Sequence, residues 1–316
     1  MTAAAQSATR DAFGDALLEL AREDPNVVAL DCDLGRSTRS FGITGVDPDR
    51  FFDLGIAEQD MISTAAGMAS LGKTVFANSF AVFITGRAFD QIRQQVALPQ
   101  ANVKICGSSA GLTQGPDGAT HQSVLDVALM RTLPNMCVVV PADPAQTRAA
   151  VRAAYEHAGP VYLRLSRYAA GDFLPAGAEL TLGKTRIIRE GEDVALLACG
   201  PVLRNVILAA DALRARGLEA AVVNCHTIKP FDEEAVEALA GRFRHLVTVE
   251  EHSIYGGLGS AAAEVLAELP GAARTAALHR LGVRDTFGES GTADELLALH
   301  GLDPDGIVRS VLDLLK

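Results

Sequence analysis

Two polar segments of the sequence hold residue types that could carry acid–base chemistry. Glu58 lies among apolar residues in DLGIAEQDM (53–61). Asp117 and His121 are four residues apart in the long polar segment CGSSAGLTQGPDGATHQ (106–122). If Glu58 is buried, its pKa rises and it can donate a hydrogen bond at neutral pH. Spacing alone favours the simpler interpretation of Glu58, a solvated carboxylate at the start of a helix.

Two further segments could bind ligands through polar side chains or backbone amides. LDCDLGRSTRS (30–40) places Asp33 and Ser37 after an apolar run, and a solvated turn is its simplest interpretation. SIYGGLGSAAAEVL (253–266) could hold an anion at a helix N-terminus, but it is not a GxGxxG fingerprint. We interpret it as a tight strand–helix turn whose glycines allow close packing. We expect neither a histidine-based metal site nor Ser/His/Asp catalysis.

These segments must be positioned by short apolar runs that alternate with amphipathic ones. The predicted strands are 26–33, 74–80, 103–109, 136–143, 160–166, 193–200, 219–228, 245–253 and 274–283. The predicted helices are 61–72, 86–98, 144–158, 202–217, 232–242 and about 260–269. Strands that are apolar on both faces are typical of parallel sheets covered by helices, so the pattern predicts doubly wound α/β structure. Ligands of such folds bind beyond the carboxyl ends of strands, where 106–122 lies.

The alternation is interrupted once, by a less periodic stretch that contains Gly and Pro. We therefore predict two doubly wound α/β domains, 1–170 and 185–316, joined by a linker at 171–184. A length of 316 residues agrees with two domains.

Composition excludes several classes of protein. The net charge is −11 and no cluster of Lys and Arg occurs, which argues against nucleic-acid or anionic-membrane partners. No apolar run reaches about 18 residues, so no membrane-spanning helix is expected. The five cysteines are far apart and odd in number, which indicates reduced core cysteines and a cytoplasmic protein.

Several long motifs resemble the pyrimidine-binding domain of transketolases. They are FFDLGIAEQDM, VFANSFAVFITGRAFDQIR, SSAGLTQGPDGATHQ and PVYLRLSRY. The later motifs TIKPFDEEAV, EEHSIYGGLGSA and GVRDTFGESGTADELL are similar to the C-terminal domain of the same enzymes. The resemblance covers nearly the whole chain in the right order, which makes it far more specific than one short pattern.

The resemblance implies one half of a split enzyme that depends on thiamine diphosphate. Transketolases begin with a domain that binds the diphosphate through a metal and a GDG…N motif, and this sequence contains no such motif. The chain is therefore expected to begin where that domain would end, as the C-terminal half of a split transketolase. The implied partner is an N-terminal subunit that carries the diphosphate and Mg²⁺ site, in an α2β2 assembly.

The resemblance also implies roles for residues at the cofactor. Glu58 matches the glutamate that hydrogen-bonds N1′ of the aminopyrimidine ring, and an apolar site would keep its carboxyl protonated. Phe80 and Phe83 match the aromatic positions beside that ring, with Phe83 the better candidate for stacking. Asp33 matches an aspartate at the cofactor's edge.

The substrate residues are implied in the same way. His121 matches a histidine that binds hydroxyls of the donor sugar and assists proton transfer, so it is expected to be catalytic together with Glu58. Asp117 matches the aspartate that reads the configuration of the C2 hydroxyl. The expected ligands of a substrate phosphate are Arg10, Ser37 and Arg167.

One departure leaves the anionic group of the substrate open. Ser108 and Ser109 stand where many family members carry a phosphate-binding histidine. A phosphate, a sulfonate or a carboxylate would suit the remaining arginines and serines.

The implied reaction transfers a two-carbon ketol group from a ketose or its phosphate to an aldose or its phosphate. Three alternatives remain: the beta chain of a 2-oxo acid dehydrogenase, an enzyme like deoxyxylulose-phosphate synthase, and a catalytically silent assembly subunit. The polar segments GATHQ and LRLSRY favour the sugar enzyme over a 2-oxo acid pocket. Retention of Glu58, Asp117 and His121 argues against a silent subunit.

Overall fold

The computed structural model describes residues 7–174, 180–270 and 276–316. Two of the sequence predictions fall partly outside these ranges. Residues 175–179 of the predicted linker and residues 274–275 of the predicted strand 274–283 are not among those described.

Twelve strands and twelve α-helices lie within the described ranges. The strands are β1 (Val27–Asp31), β2 (Phe51–Asp53), β3 (Thr74–Phe80), β4 (Val103–Ser108), β5 (Cys137–Val139), β6 (Val161–Arg164), β7 (Arg186–Arg189), β8 (Val194–Ala198), β9 (Ala220–Asn224), β10 (Thr227–Lys229), β11 (His245–Ser253) and β12 (Ala277–Val283). The helices are α1 (Thr9–Glu23), α2 (Gly35–Thr38), α3 (Glu58–Ser70), α4 (Ala81–Arg87), α5 (Phe89–Gln91), α6 (Asp126–Thr132), α7 (Pro144–Glu156), α8 (Leu203–Arg214), α9 (Glu233–Arg242), α10 (Leu258–Glu268), α11 (Ala293–Leu299) and α12 (Pro304–Leu314).

The strands form two sheets, which confirms the predicted α/β class. The first sheet has the order β10-β5-β6-β4-β3-β1-β2, and the second has the order β12-β11-β8-β9-β7. Neighbouring strands are parallel except at one edge of each sheet, where β10 and β7 run antiparallel to β5 and β9. The interior strands β1 and β8 are buried throughout, because helices cover the sheets.

Local sequence explains where α7 begins, and two other helices begin earlier than predicted. The Asp143 side chain accepts a hydrogen bond from the backbone amide of Gln146, and Pro144 occupies the first turn of α7. The helix predicted at 61–72 begins three residues earlier, at Glu58. The helix predicted at 86–98 begins at Ala81 and ends as a π-helical segment.

One predicted strand is wrong, since residues 219–228 form two strands in different sheets. β9 lies in the second sheet, whereas β10 pairs with β5 in the first. Between them the His226 carbonyl accepts a hydrogen bond from the amide of Val140. A strand of the second half of the chain thus completes the sheet of the first half.

The hydrophobic core is continuous across this junction. One buried cluster joins Val138 and Val140 of the first half to Cys225 and Ile228 of the second. All five cysteines are buried and free of disulfides. Among the described residues no helix combines the length and apolar character needed to cross a membrane.

His226 makes the stability of this junction depend on pH. Burial, aided by the charge of Arg186, lowers the pKa of His226 to about 4. The unfolded chain protonates this histidine below about pH 6.5, whereas the folded chain does so only near pH 4. The free energy of unfolding is therefore highest above about pH 6.5 and decreases as the pH falls toward 4. Wild-type stability should fall by up to about 3 kcal/mol through this histidine, about 2 kcal/mol of it between pH 7 and pH 5, and we expect His226→Phe to remove this loss. Urea unfolding at pH 7 and pH 5 checks this, and an equal pH dependence in both proteins contradicts it.

Candidate active site

Glu58 is buried, so the interpretation as a solvated carboxylate is wrong. It is the first residue of α3, and its side chain is only 3% exposed. Arg87 at the end of α4 donates a hydrogen bond to Oε1 of Glu58 over 2.8 Å. The guanidinium side of this pair is half-exposed. Glu58 therefore lies at the base of an opening rather than inside a closed core.

The predicted apolar surroundings of Glu58 are only partly present. Met61, on the same helix, is fully buried, whereas Ile56, two residues before Glu58, is 73% exposed. A cavity of about 550 Å³ opens here and is lined by Ile56, Ala57, Glu58, Gln59, Asp60 and Arg87. The structure thus places an arginine at the carboxyl group where the sequence predicted apolar neighbours.

Aromatic side chains continue the site from Arg87. The guanidinium carbon of Arg87 lies 4.2 Å from the ring centroid of Phe83. Phe83 stacks on Phe80 with centroids 6.0 Å apart and planes inclined by 17°. The His121 ring meets Phe83 edge-on, with centroids 5.2 Å apart. Four predicted site residues, Glu58, Phe80, Phe83 and His121, are therefore brought together, with Arg87 as the link.

Asp117 and Arg167 contact each other directly. Arg167 donates a hydrogen bond to Oδ2 of Asp117 over 3.0 Å, and Gln114 donates to the same oxygen over 2.5 Å. Gly115 and Gly118 flank this turn with φ values of +76°, a conformation that favours glycine. The residues predicted to read a hydroxyl and to bind an anion are thus paired in this structure.

Arg10 and Ser37 lie beside this pair. A terminal nitrogen of Arg10 donates to the carbonyl and the hydroxyl of Ser37 over 3.2 and 3.3 Å. The amide of Arg10 donates to the carbonyl of Ser166, which sets α1 next to Arg167. Burial lowers the pKa of Arg10, and the charges of Arg39 and Arg167 lower it further, although Asp11 opposes them. The three predicted anion ligands are therefore near neighbours.

Ser108 is the last residue of β4, and Ser109 follows it at the carboxyl end of this strand. Their side chains are 1% and 0% exposed, and neither hydroxyl has a partner among the described residues. Ser109 has a φ of +54°, in the left-handed region. The structure thus leaves two buried hydroxyls without partners at the position of the family's phosphate-binding histidine.

Asp33 lies in the turn that follows β1. It is exposed, and its amide donates to the Asp53 carboxylate over 2.9 Å. It lines a cavity of about 460 Å³ together with Ser37, whereas Glu58 lines a different one. This cavity brings Asp33 beside Ser37, and the role of Asp33 at the cofactor's edge stays a prediction.

The sequence prediction missed three residues. Arg87 lies four residues after Phe83 on α4, a spacing that could have indicated contact. Gln114 lies three residues before Asp117 in a helical turn. No sequence pattern indicated Asp31. Only the fold shows that it is buried and accepts hydrogen bonds from Thr38, Ser40 and Leu34. Burial raises the pKa of Asp31 to about 6, and the carboxylate holds the loop that carries Ser37.

Two short motifs fit catalytic patterns but lack the necessary context. GSSAG (107–111) fits the GxSxG pattern of serine hydrolases, yet Ser109 Oγ has no hydrogen bond to a histidine among the described residues. GMASLGKT (67–74) fits a P-loop, but here a helix precedes the motif and a strand follows it. A P-loop requires the reverse order, so neither motif indicates a site.

The glycine-rich segment 253–266 is a tight turn, as predicted. Both oxygens of Glu250 accept hydrogen bonds over 2.8 Å, from the amides of Leu258 and Gly259 at the start of α10. A side chain at Gly257 would collide with this carboxylate. The anion at this helix N-terminus is thus the chain's own glutamate.

Comparisons with known proteins show the family of this chain. Residues 5–171 match the family model described as transketolase, pyrimidine binding domain, and residues 183–307 match transketolase, C-terminal domain. A 6-deoxy-6-sulfo-D-fructose transketolase subunit from Clostridium sp. is 45% identical over 95% of this chain and 92% of its own length. An apulose-4-phosphate transketolase subunit from Phocaeicola vulgatus is 38% identical over 98% of both chains.

A solved structure gives the same result. The protein described as split gene transketolase, inactive beta4 tetramer, is 44% identical in sequence and has a TM-score of 0.87. The match covers 97% of each chain. Fold and sequence therefore agree over both halves of the chain.

Proposed function

This chain belongs to the transketolase family, and we propose that it is the C-terminal subunit of a two-subunit transketolase that is active only with its partner. The proposed reaction moves a two-carbon ketol group from a ketose to an aldose. It uses thiamine diphosphate bound between the two kinds of chain.

The contact of Arg87 with both Glu58 and Phe83 carries this proposal. A guanidinium is flat and rich in N–H donors, and here it binds a buried carboxyl group while covering an aromatic face. An aminopyrimidine ring is also flat and has an amino group, so the carboxyl group of Glu58 and the ring face of Phe83 suit it as well. The residues present therefore fit the pyrimidine end of thiamine diphosphate.

When bound, thiamine diphosphate would supply the carbon nucleophile for ketol transfer. Glu58 would hold a proton on its carboxyl group, next to the pyrimidine ring. Phe83 and Phe80 would orient that ring and exclude water from it. His121, whose ring is fixed against Phe83, would bind a donor hydroxyl and move its proton.

The substrate would lie beyond His121, toward the anion ligands. Asp117 would accept a hydrogen bond from the C2 hydroxyl, and Arg10, Ser37 and Arg167 would bind the anionic group. Asp33 would lie at the cofactor's edge, in the cavity that it shares with Ser37. The relatives named above act on a sulfonated and a phosphorylated sugar, which supports an anionic sugar as the substrate class.

We assign the diphosphate and Mg²⁺ to the partner subunit. No group of three or more His, Cys, Asp or Glu side chains in the described parts of this chain could hold a metal ion. Two of the relatives are transketolase subunits and a third is a split gene transketolase, which supports a second chain. An α2β2 assembly is the proposed form.

Reconstitution tests the proposed function. The chain is purified alone and with an N-terminal transketolase subunit that contains GDG…N, and thiamine diphosphate is assayed in each preparation. Ketol transfer from anionic ketoses only in the joint preparation supports the proposal. Decarboxylation of pyruvate instead would favour a synthase-like enzyme, and a chain that takes up neither partner nor cofactor would favour a silent subunit.

Arg167→Ala tests the anion ligands. The variant loses a charged hydrogen bond to the substrate's terminal anion, so we expect KM for fructose 6-phosphate to rise about 10–100-fold, with a much smaller effect on kcat. Unphosphorylated fructose should be affected far less. Arg242→Ala, which removes an exposed arginine paired with Glu190 in the second half of the chain, is the matched control. An unchanged KM would remove Arg167 from the anion site.

A further inference from the structure

The loop that carries Asp117 and His121 is held by the second half of the chain. Oε1 of Glu251 on β11 accepts a hydrogen bond from the amide of Thr113 over 2.5 Å. The side-chain amide of Gln122 donates to the carbonyl of Glu289 over 2.9 Å. The second half of the chain thus contacts both ends of the loop, at Thr113 and at Gln122.

Gln122 also fixes the shape of the loop from within. The same nitrogen donates to the carbonyls of Leu112 and Gly115 over 3.3 and 3.1 Å. Gln122 is 4% exposed, so water cannot replace these bonds. Because Gln122 directly follows His121, its three contacts determine where the backbone of His121 lies.

The loop and segment 288–294 approach each other closely at two glycines of the loop. A Cβ at Gly118 would lie 2.7 Å from the hydroxyl of Ser290, and one at Gly115 would lie 3.3 Å from the carbonyl of Gly291. Leu112 of the loop packs within the buried cluster of the second half, with Leu296 and Leu297. The second half therefore supplies one wall of the loop.

Glu251 is itself rigidly held. It is 3% exposed, and its carbonyl accepts a hydrogen bond over 2.9 Å from Arg164 of β6. Arg164 also donates to the carbonyl of Ser123, just beyond the loop. The anchor on β11 is thus tied to the sheet whose strand ends carry the site.

We propose that the second half of the chain positions Asp117 and His121, and that Gln122 and Glu251 are the positioning residues. Neither residue needs to touch substrate, since they act through the loop backbone. The effect on catalysis rests on the proposed function, whereas the effect on the loop does not.

Gln122→Met tests the proposal, because methionine is close in size and keeps no donor. We expect the amides of residues 111–122 to exchange hydrogen for deuterium roughly tenfold faster in the whole chain. Asn205→Leu is the matched control. It removes one buried amide that donates to the Leu302 carbonyl, away from the loop.

The two-subunit enzyme gives a second readout. A displaced Asp117 should weaken discrimination between D- and L-glyceraldehyde as acceptors, and kcat/KM should fall about tenfold. A merely structural role would lower stability in both variants but leave this discrimination unchanged.

Each outcome decides a different point. Faster exchange in the loop for Gln122→Met alone, with weaker discrimination, supports the proposal. Unchanged loop exchange, or an equal change in Asn205→Leu, overturns it whatever the reaction. Absence of ketol transfer in the unaltered enzyme would refute the proposed function and leave the exchange result to decide the positioning.

Discussion

Glu58→Gln will nearly abolish turnover while the fold and the binding of the partner subunit remain intact. Glutamine has the shape of glutamate, and its carbonyl oxygen can still accept the hydrogen bond from Arg87. It cannot hold and release a proton, which is the role proposed for the carboxyl group. We expect kcat to fall by about 10²–10⁴-fold, the usual contribution of a positioned acid or base.

The measurement is kcat of the reconstituted enzyme at saturating cofactor, with the melting temperature and the partner's affinity measured in parallel. Glu23→Gln is the matched control, since Glu23 is an exposed glutamate in a paired contact with Arg152. Its kcat should stay at the level of the unaltered enzyme. Near-normal activity of Glu58→Gln would refute the proposed proton transfer.

Arg164→Met will destabilise the chain by about 3–5 kcal/mol, because it leaves a buried carboxylate without its partner. Asp126 is 0% exposed, and its Oδ2 lies 2.8 Å from Nε of Arg164. Burial alone raises the pKa of Asp126, but the charges of Arg164 and His252 and the bonds from Arg164 and Tyr162 lower it below its usual value. The native state therefore contains a charge that depends on Arg164.

Urea unfolding at pH 7 measures this loss. The double variant Arg164→Met/Asp126→Leu separates the unpaired charge from the lost packing, and we expect it to be more stable than Arg164→Met alone. A loss below about 1 kcal/mol in the single variant would show that water reaches Asp126. Equal stability of Arg164→Met and Arg164→Met/Asp126→Leu would also show that water reaches Asp126.

The framework of the fold could be predicted from periodicity, since β1, β3 and β8 are short apolar runs bounded by polar residues. The division of residues 219–228 between two sheets could not, because it depends on which strand offers a free edge to β10. Strand pairing across distant parts of the chain leaves no local pattern in the sequence.

The candidate site was predicted in its residues but not in its contacts. Family motifs indicated Glu58, Phe83 and His121, and the structure shows them near one another. Local spacing suggested a solvated Glu58, because burial is decided by how α3 packs and not by its neighbours in sequence. The ion pair of Asp117 with Arg167 joins residues 50 positions apart, which no spacing rule reaches.

The place of β10 has a consequence for how this gene can be divided. Two adjacent domains that merely touch can be encoded separately and associate afterwards. Here a cut between β9 and β10, or before β7, would leave β5 with an open edge and the core cluster split between two polypeptides. Selection would therefore act against gene fission inside this chain, and its two halves are expected to be inherited as one reading frame.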